Sequence, residues 1–256
     1  KKTFYAHLTE TLRSCENPHQ EGLLYSFNKY CGINQLQGKK LSYNNYNDIF
    51  SAISISRSLP KNVGTVVVKH ANPSGVSINK NKIKSFELAL KCDPISAYGG
   101  IVSCNFAIDK KMAKELNKIY LEVVIGIGIS KEALNEFKTK KNLRVIDSTK
   151  FKIKNFENIN TSYNNMLVQS PDLKSLSRKD FKVVSKTKPN KKSFKNLIFE
   201  FNICRFVKSN AIVLVKKGST VGIGSGQTSR RDRCKMAVSK TQQLHKHMYK
   251  SEKNHE

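Results

Sequence analysis

The chain has 256 residues and 38% hydrophobic content, enough to bury one large core or two smaller ones, and no apolar run approaches the ~20 residues a membrane helix needs. Its formal net charge is +27, from 46 Lys and Arg against 19 Asp and Glu, which assists capture of small anionic substrates. Only eight of the basic residues are Arg (13, 57, 144, 178, 205, 230, 231 and 233). The rest are dispersed Lys, with no zinc-finger spacing, RNA-recognition aromatic motif or basic zipper, so no specific nucleic-acid partner is expected.

In chain order, the β-branched run Val63-Gly64-Thr65-Val66-Val67-Val68 predicts a buried strand. Lys69 and His70 fall at its carboxyl end, and Asn72-Pro73-Ser74-Gly75 predicts the turn that follows. Residues 81 to 92 carry Ile83, Phe86, Ala89 and Leu90 on one helical face, ended by Asp93-Pro94. Ile101 to Cys104 is a short strand. Asp109 caps a helix with the stripe Met112, Ala113, Leu116, Ile119 and Tyr120. Val123 to Ile127 is a buried strand, Ser130 caps a helix bearing Ala133, Leu134 and Phe137, and Leu143 to Ile146 returns as a strand. Strands alternating with helices predict an α/β fold, a sheet with helices on its faces.

Residues 148 to 165, rich in Lys, Asn, Ser and Thr, read as a linker. Beyond them the pattern predicts short strands at Met166 to Gln169 and Phe181 to Ser185, and a helix near 191 to 209. A hairpin follows, from Ala211 to Val215 and from Thr220 to Ile223 across Lys216-Lys217-Gly218-Ser219. The tail from 233 to 256 is polar and basic without an apolar stripe, and reads as disordered or out of frame; His245 and His247 within it are not taken as a metal pair. Cys15, Cys31, Cys92, Cys104, Cys204 and Cys234 form no C-x-x-C and stand at no metal-ligand spacing, so reduced thiols and no metal site are expected. Lys1-Lys2-Thr3-Phe4-Tyr5 lacks the apolar centre of a signal peptide, which points to a cytoplasmic protein without a membrane partner. The first residue is not Met, so an upstream portion is expected to be missing.

The Lys69-His70 pair carries the most chemistry. Ligands of open α/β sheets gather at strand carboxyl ends. There a neutral His takes a proton near pH 7, and a Lys holds a phosphate or a developing oxyanion. Taken alone, the pair equally fits a His that caps or packs at a strand end. Four other segments share the chain with Val68-Lys69-His70-Ala71-Asn72-Pro73-Ser74-Gly75. They are Leu12-Arg13-Ser14-Cys15-Glu16-Asn17-Pro18-His19-Gln20, then Gln35-Leu36-Gln37-Gly38-Lys39-Lys40-Leu41-Ser42-Tyr43-Asn44-Asn45, then Asp93-Pro94-Ile95-Ser96-Ala97-Tyr98-Gly99-Gly100. The last runs from Lys208-Ser209-Asn210-Ala211-Ile212-Val213 to Gly222-Ile223-Gly224-Ser225-Gly226-Gln227-Thr228-Ser229-Arg230. By itself that Gly run also fits a tightly packed hairpin strand, and it lacks the Lys-Ser/Thr of a P-loop.

In this order the segments resemble the formyltransferase domain of the bifunctional purine biosynthesis enzyme, over residues 12 to about 232. The resemblance implies two cytidine-deaminase-like three-layer α/β/α subdomains, paired into a homodimer with sites at the interface. Residues 1–147 correspond to the first, 148–165 to a linker, 166–232 to an incomplete second, and 233–256 to the tail. It implies transfer of a formyl group from the co-substrate 10-formyltetrahydrofolate to the 5-amine of aminoimidazole carboxamide ribotide, without a metal. IMP cyclohydrolase activity would belong to a longer parent. On the matching positions, Lys69, His70 and Asn210 are catalytic. Arg13 holds the ribotide phosphate, Asn45, Tyr98, Gly99 and Glu122 line the nucleotide pocket, and Arg230 serves the folate. The chain departs from the family's Arg-Tyr-Gly-Glu-Asn-Pro-His in placing Ser14-Cys15 where Tyr-Gly is usual, and from its Phe-Phe-Pro-Phe and Arg-His-Phe-Arg-His endings. The alternative reading is a truncated, catalytically inactive ribotide-binding remnant.

Overall fold

The computed structural model describes residues 1–28, 30–153 and 157–253, with side chains as far as 243. Residues 154–156 of the expected linker, 254–256 of the tail, and the side chains of His245 and His247 lie outside the described residues. In chain order the elements are β1 (His7–Thr11), β2 (Leu23–Ser26), β3 (Asn34–Gln37), α1 (Tyr43–Ser58), β4 (Gly64–Lys69), β5 (Asn72–Ile78), α2 (Lys82–Cys92), α3 (Pro94–Ala97), β6 (Gly100–Cys104) and α4 (Lys110–Asn117). They continue as β7 (Leu121–Gly126), α5 (Lys131–Phe137), β8 (Arg144–Asp147), β9 (Asn158–Ser162), β10 (Asn165–Gln169), α6 (Lys191–Cys204), β11 (Ile212–Lys216), β12 (Ser219–Gly224) and α7 (Arg230–Lys253).

Eight strands form one mixed sheet in the order β11-β12-β5-β4-β6-β7-β8-β3. β4 runs antiparallel to both neighbours, whereas β6, β7 and β8 are mutually parallel. Parallel neighbours need crossovers, which α4 and α5 supply. The pleat divides the core. Val66, Val68, Ile101, Val123, Ile125 and Ile146 face α1 and Ile203 of α6, whereas Val67, Val102, Val124 and Val145 face Phe86, Met112 and Phe137 of α2, α4 and α5. Each of these buried valines contributes roughly 1.5–3 kcal/mol by leaving water. The chain is thus an α/β protein with helices on both faces of the sheet.

Several local expectations change. Asn72-Pro73-Ser74-Gly75 is not the turn but the start of β5; the turn is the dipeptide His70-Ala71, closed by pairing of Lys69 with Asn72. A register shift lets Pro73 and Gly75 sit opposite Val68 and Val67, and such a bulge is where a strand tolerates a residue without an N–H. Helix α1 lacks an obvious signal, since Asn44, Asn45, Asn47, three Ile and four Ser lower its propensity. A capping box between Ser42 and Asn45 and burial of Tyr46, Ile49, Ala52 and Ile53 hold it instead. Residues 181–185 form no strand; a 3₁₀ turn at Arg178–Asp180 precedes them. The helix predicted near 191 to 209 ends at Cys204.

The segment expected to be an unpatterned tail carries α7 through Lys253. Its first half is anchored to the sheet by small residues. A Cβ on Gly222 would stand 2.1 Å from the Ala237 carbonyl oxygen, and one on Gly224 would stand 2.1 Å from that of Arg233. The Gly222-Ile223-Gly224 run therefore packs helix on strand. Lys240 also pairs with the buried Asp93 at 2.7 Å, tying α7 to the corner between α2 and α3. β9 falls within the span expected as a linker and pairs with β10, which coincides with the strand expected at Met166 to Gln169, as a separate hairpin. β11 and β12 join the main sheet through β5, so residues 212–224 share one sheet with the first half of the chain.

Candidate functional site

A cleft of about 840 Å³ opens where the His70 turn, the amino end of α1 and the residues leading into β6, β7 and β8 converge. Lys69 reaches it from the carboxyl end of β4, as expected. Because β4 is antiparallel to β6, the same rim collects the amino ends of the three parallel strands: Gly99, Glu122 and Arg144. The expectation of a site at strand carboxyl ends thus holds for β4 alone.

Six of the nine residues singled out from the sequence line this cleft: Arg13, Asn45, Lys69, His70, Gly99 and Glu122. Asn45 is nearly buried, and its carboxamide is already committed. The Oδ1 accepts the Ser42 N–H as part of the α1 capping box, and the Nδ2 donates to Glu122 at 3.2 Å. Asn45 therefore fixes the helix end and the Glu122 carboxylate together. Gly99 has φ +68° and donates its N–H to the Tyr120 carbonyl at 2.9 Å. Lys69 Nζ donates to the Tyr98 carbonyl at 2.9 Å, which leaves two of its N–H groups for other partners.

Tyr98, Asn210 and Arg230 are placed differently. Tyr98 is 64% exposed and its ring packs on Tyr120 at a centroid distance of 5.1 Å; it is Tyr120 that lines the cleft. Tyr120 was expected on a helical stripe, but α4 ends at Asn117 and frees it. Asn210 is exposed and follows Lys208, whose N–H donates to Asn72 Oδ1 at 3.1 Å and whose Nζ donates to the His70 carbonyl at 3.4 Å. Arg230 is exposed at the first turn of α7. Ser14, in the segment that departs from the family pattern, accepts the Tyr43 N–H at 2.9 Å and so docks that segment on α1.

The structure adds Asp48, Lys39, Lys140 and Arg144 to the wall. Asp48, in α1, accepts the N–H groups of both His70 and Ala71. Burial pushes its carboxyl above the usual carboxylate range, and those two hydrogen bonds and the charge of His70 only partly offset this. Arg144 is buried, and its Nε donates to the Lys39 carbonyl at 3.1 Å. Burial lowers its basicity, Glu122 opposes that shift, and the like charge of Arg13 adds to it. Burial likewise lowers the Lys140 ammonium, which donates to the Ile119 carbonyl at 2.6 Å. A charged residue inside the apolar strand Leu143 to Ile146 was the available signal for Arg144. Asp48 had none, because its role depends on which turn α1 packs against.

Electrostatically the cleft is cationic. Arg13, Lys39, Lys69, Lys140, Lys141 and Arg144 surround only two carboxylates, Asp48 and Glu122. A buried Arg144 guanidinium whose charge is disfavoured by Arg13 and favoured by Glu122, in a cleft that Arg13 also lines, suits a dianionic group such as a phosphate. Among the described residues no group of His, Cys, Asp or Glu is arranged to hold a metal ion, and no helix is long and apolar enough to cross a membrane.

Comparison with known proteins follows the same line. A family model described as the AICARFT/IMPCHase bienzyme matches residues 1–240. The bifunctional purine biosynthesis protein PurH of Rhodospirillum rubrum is 41% identical over 244 residues, which covers 91% of this chain and 45% of that protein. Those of Leptospira biflexa and Prochlorococcus marinus are 39% and 40% identical over 247 and 251 residues, covering 95% and 93% of this chain and 48% of each relative. The chain spans about half the length of the curated relatives it matches. With a family match that runs from the first residue to the middle of α7, the chain belongs to the AICARFT/IMPCHase bienzyme family.

Proposed function

We propose that the chain carries out the formyl-transfer step of purine biosynthesis, moving a formyl group from 10-formyltetrahydrofolate to the 5-amine of aminoimidazole carboxamide ribotide. The observation that carries this reading is the shared cleft. A basic Lys-His turn stands in one cavity with Arg13, Arg144 and Glu122, so a phosphate anchor and a proton-transfer group are available to one bound ribotide.

The 5-amine is a weak nucleophile because its lone pair is delocalised into the imidazole and carboxamide. Its nitrogen attacks the formyl carbon, a carbon–nitrogen bond forms, and the carbonyl oxygen becomes an oxyanion. His70 takes the proton that the amine sheds. Lys69, held on the Tyr98 carbonyl, supplies positive charge beside the oxyanion. Collapse breaks the bond to the folate nitrogen, which leaves with the proton. Arg13 and Arg144 hold the phosphate, and the Glu122 carboxylate, fixed by Asn45, accepts a hydrogen bond from the substrate. On the same reading the Asn210 amide orients the substrate carboxamide or His70, and Arg230 serves the folate side. Pairing into a homodimer belongs to the same reading.

The test is direct. Purified chain is given the ribotide and 10-formyltetrahydrofolate, ribotide binding is measured by calorimetry, and formyl transfer is followed by loss of the folate co-substrate. Ribotide binding with ribotide-dependent transfer is the expected result. Binding without transfer overturns the enzymatic reading in favour of a ribotide-binding remnant, and absence of binding overturns both.

A further inference from the structure

The turn between β4 and β5 consists of His70 and Ala71, at φ +54° and +56°. Neither is glycine. The hairpin between β11 and β12 meets the same demand with Lys217 at φ +52° and Gly218 at φ +73°. Two-residue hairpins favour left-handed backbone because its twist matches that of the strands, and glycine or asparagine usually supplies it. An L side chain there crowds the neighbouring carbonyl, so two in succession persist only when surrounding contacts hold them.

Those contacts come from both sides of the turn. From α1, Asp48 accepts the His70 N–H at 3.3 Å and the Ala71 N–H at 2.5 Å, and Ser51 donates its hydroxyl to the Ala71 carbonyl at 3.1 Å. Asp48 and Ser51 are three residues apart and therefore share a helix face. From the other side Lys208 Nζ donates to the His70 carbonyl at 3.4 Å. All four backbone polar groups of the dipeptide are thereby engaged from outside it, three of them by two side chains of one helix.

We propose that Asp48, assisted by Ser51, is a positioning residue. It holds the His70-Ala71 turn in the left-handed conformation and thereby fixes where the His70 imidazole stands in the cleft. Asp48 acts through the backbone of the turn rather than on a substrate. The kinetic part of this inference rests on the formyl-transfer reading; the conformational part does not.

Both parts are tested on the same full chain. Asp48→Ala is expected to lower the turnover of formyl transfer roughly 10- to 100-fold while ribotide affinity stays within about threefold, since misplacing a reacting group costs rate more than binding. Adding Ala71→Gly to that variant recovers most of the loss, because glycine takes positive φ without help. Asp48→Asn keeps one acceptor oxygen and falls between. Amide hydrogen exchange gives a readout independent of activity. The His70 and Ala71 amides exchange slowly in the parent chain and fast in Asp48→Ala, while the rest of β4 and β5 keeps its protection. Unchanged turnover in Asp48→Ala, or a loss that Ala71→Gly does not restore, overturns the inference. If the parent chain transfers no formyl group, the functional reading fails by itself and exchange decides the matter: fast turn amides in Asp48→Ala support the clamp, and unchanged protection overturns it.

Discussion

At the scale of single residues, the site is a set of side chains whose functional groups are mostly held by the backbone. Lys69 is tied to the Tyr98 carbonyl, Arg144 to the Lys39 carbonyl and Lys140 to the Ile119 carbonyl, so these three of the cleft's cations stand in defined places before any ligand arrives. His70 is different: its side chain is exposed at the tip of a turn, and its position depends on the backbone beneath it. On the formyl-transfer reading, His70→Ala should lower turnover about 100-fold or more and leave ribotide affinity within several-fold, as removal of a general base does. Steady-state kinetics with calorimetric binding checks this, and unchanged turnover removes His70 from the chemistry. Lys69 and His70 were legible because a basic pair ending a β-branched run is visible in one stretch of sequence. Arg144 was visible only as a charge in a buried strand. Asp48 was invisible, because its partners lie 22 and 23 positions away and depend on the docking of α1.

At the scale of elements, two helices lend themselves to measurement. α7 approaches β12 so closely at Gly222 that an added Cβ would meet the Ala237 carbonyl oxygen at 2.1 Å and the Thr241 hydroxyl at 2.7 Å. The backbone oxygen cannot rotate away, so Gly222→Ala must push helix from strand. A loss of roughly 1–3 kcal/mol is expected, as for other overpacked cores. Urea denaturation reads this as a lower midpoint, and an unchanged midpoint would show that α7 does not dock as described. α6 carries Glu200, whose carboxyl is pushed up to about 7 by burial from an ordinary value of 4.5. A carboxyl whose folded-state pKa is raised costs nothing while protonated, and it destabilises the fold as pH climbs from about 4.5 through about 7. Glu200→Gln should therefore raise the melting temperature at pH 8 and leave it unchanged near pH 4. A variant that melts below the parent at pH 8 would contradict the half-buried, unneutralised carboxyl. The helices α2, α4 and α5 were legible from apolar spacing, and α4 and α5 also from their caps Asp109 and Ser130, because both signals are local. α1 was not, because its Asn-rich first turns mask a helix held by packing.

At the scale of the whole molecule, the charge of +27 and the single eight-stranded sheet dominate. The charge is carried mainly by dispersed Lys, and the cations that converge do so in a cleft sized for a small molecule. Binding to nucleic acid should accordingly be weak, indifferent to sequence and steeply lost as salt rises. Titration of labelled duplexes of two unrelated sequences at low and moderate salt checks this, and sequence-selective binding that survives moderate salt would contradict it. The sheet joins β11 and β12 to β5, so the hairpin near the carboxyl end supports the strand that follows the His70 turn. Ser219 and Ser77 share a hydrogen bond of 2.7 Å, and Thr220 accepts the Val76 N–H at 2.9 Å, both buried. Removing that hairpin would expose the edge of β5.

The order of motifs, the α/β alternation and the caps Asp109 and Ser130 were determined by the sequence alone, because each depends on residues within a few positions of one another. Tertiary structure decided which ends of the strands meet in the cleft, that Pro73 and Gly75 lie in a bulged strand rather than a turn, and that the Gly222-x-Gly224 run is a seat for α7. It also decided that a His-Ala dipeptide is held left-handed by a helix around twenty residues earlier. The reason is physical: antiparallel pairing of β4 with β6 and the docking of α1 bring together groups whose separation along the chain leaves no local trace.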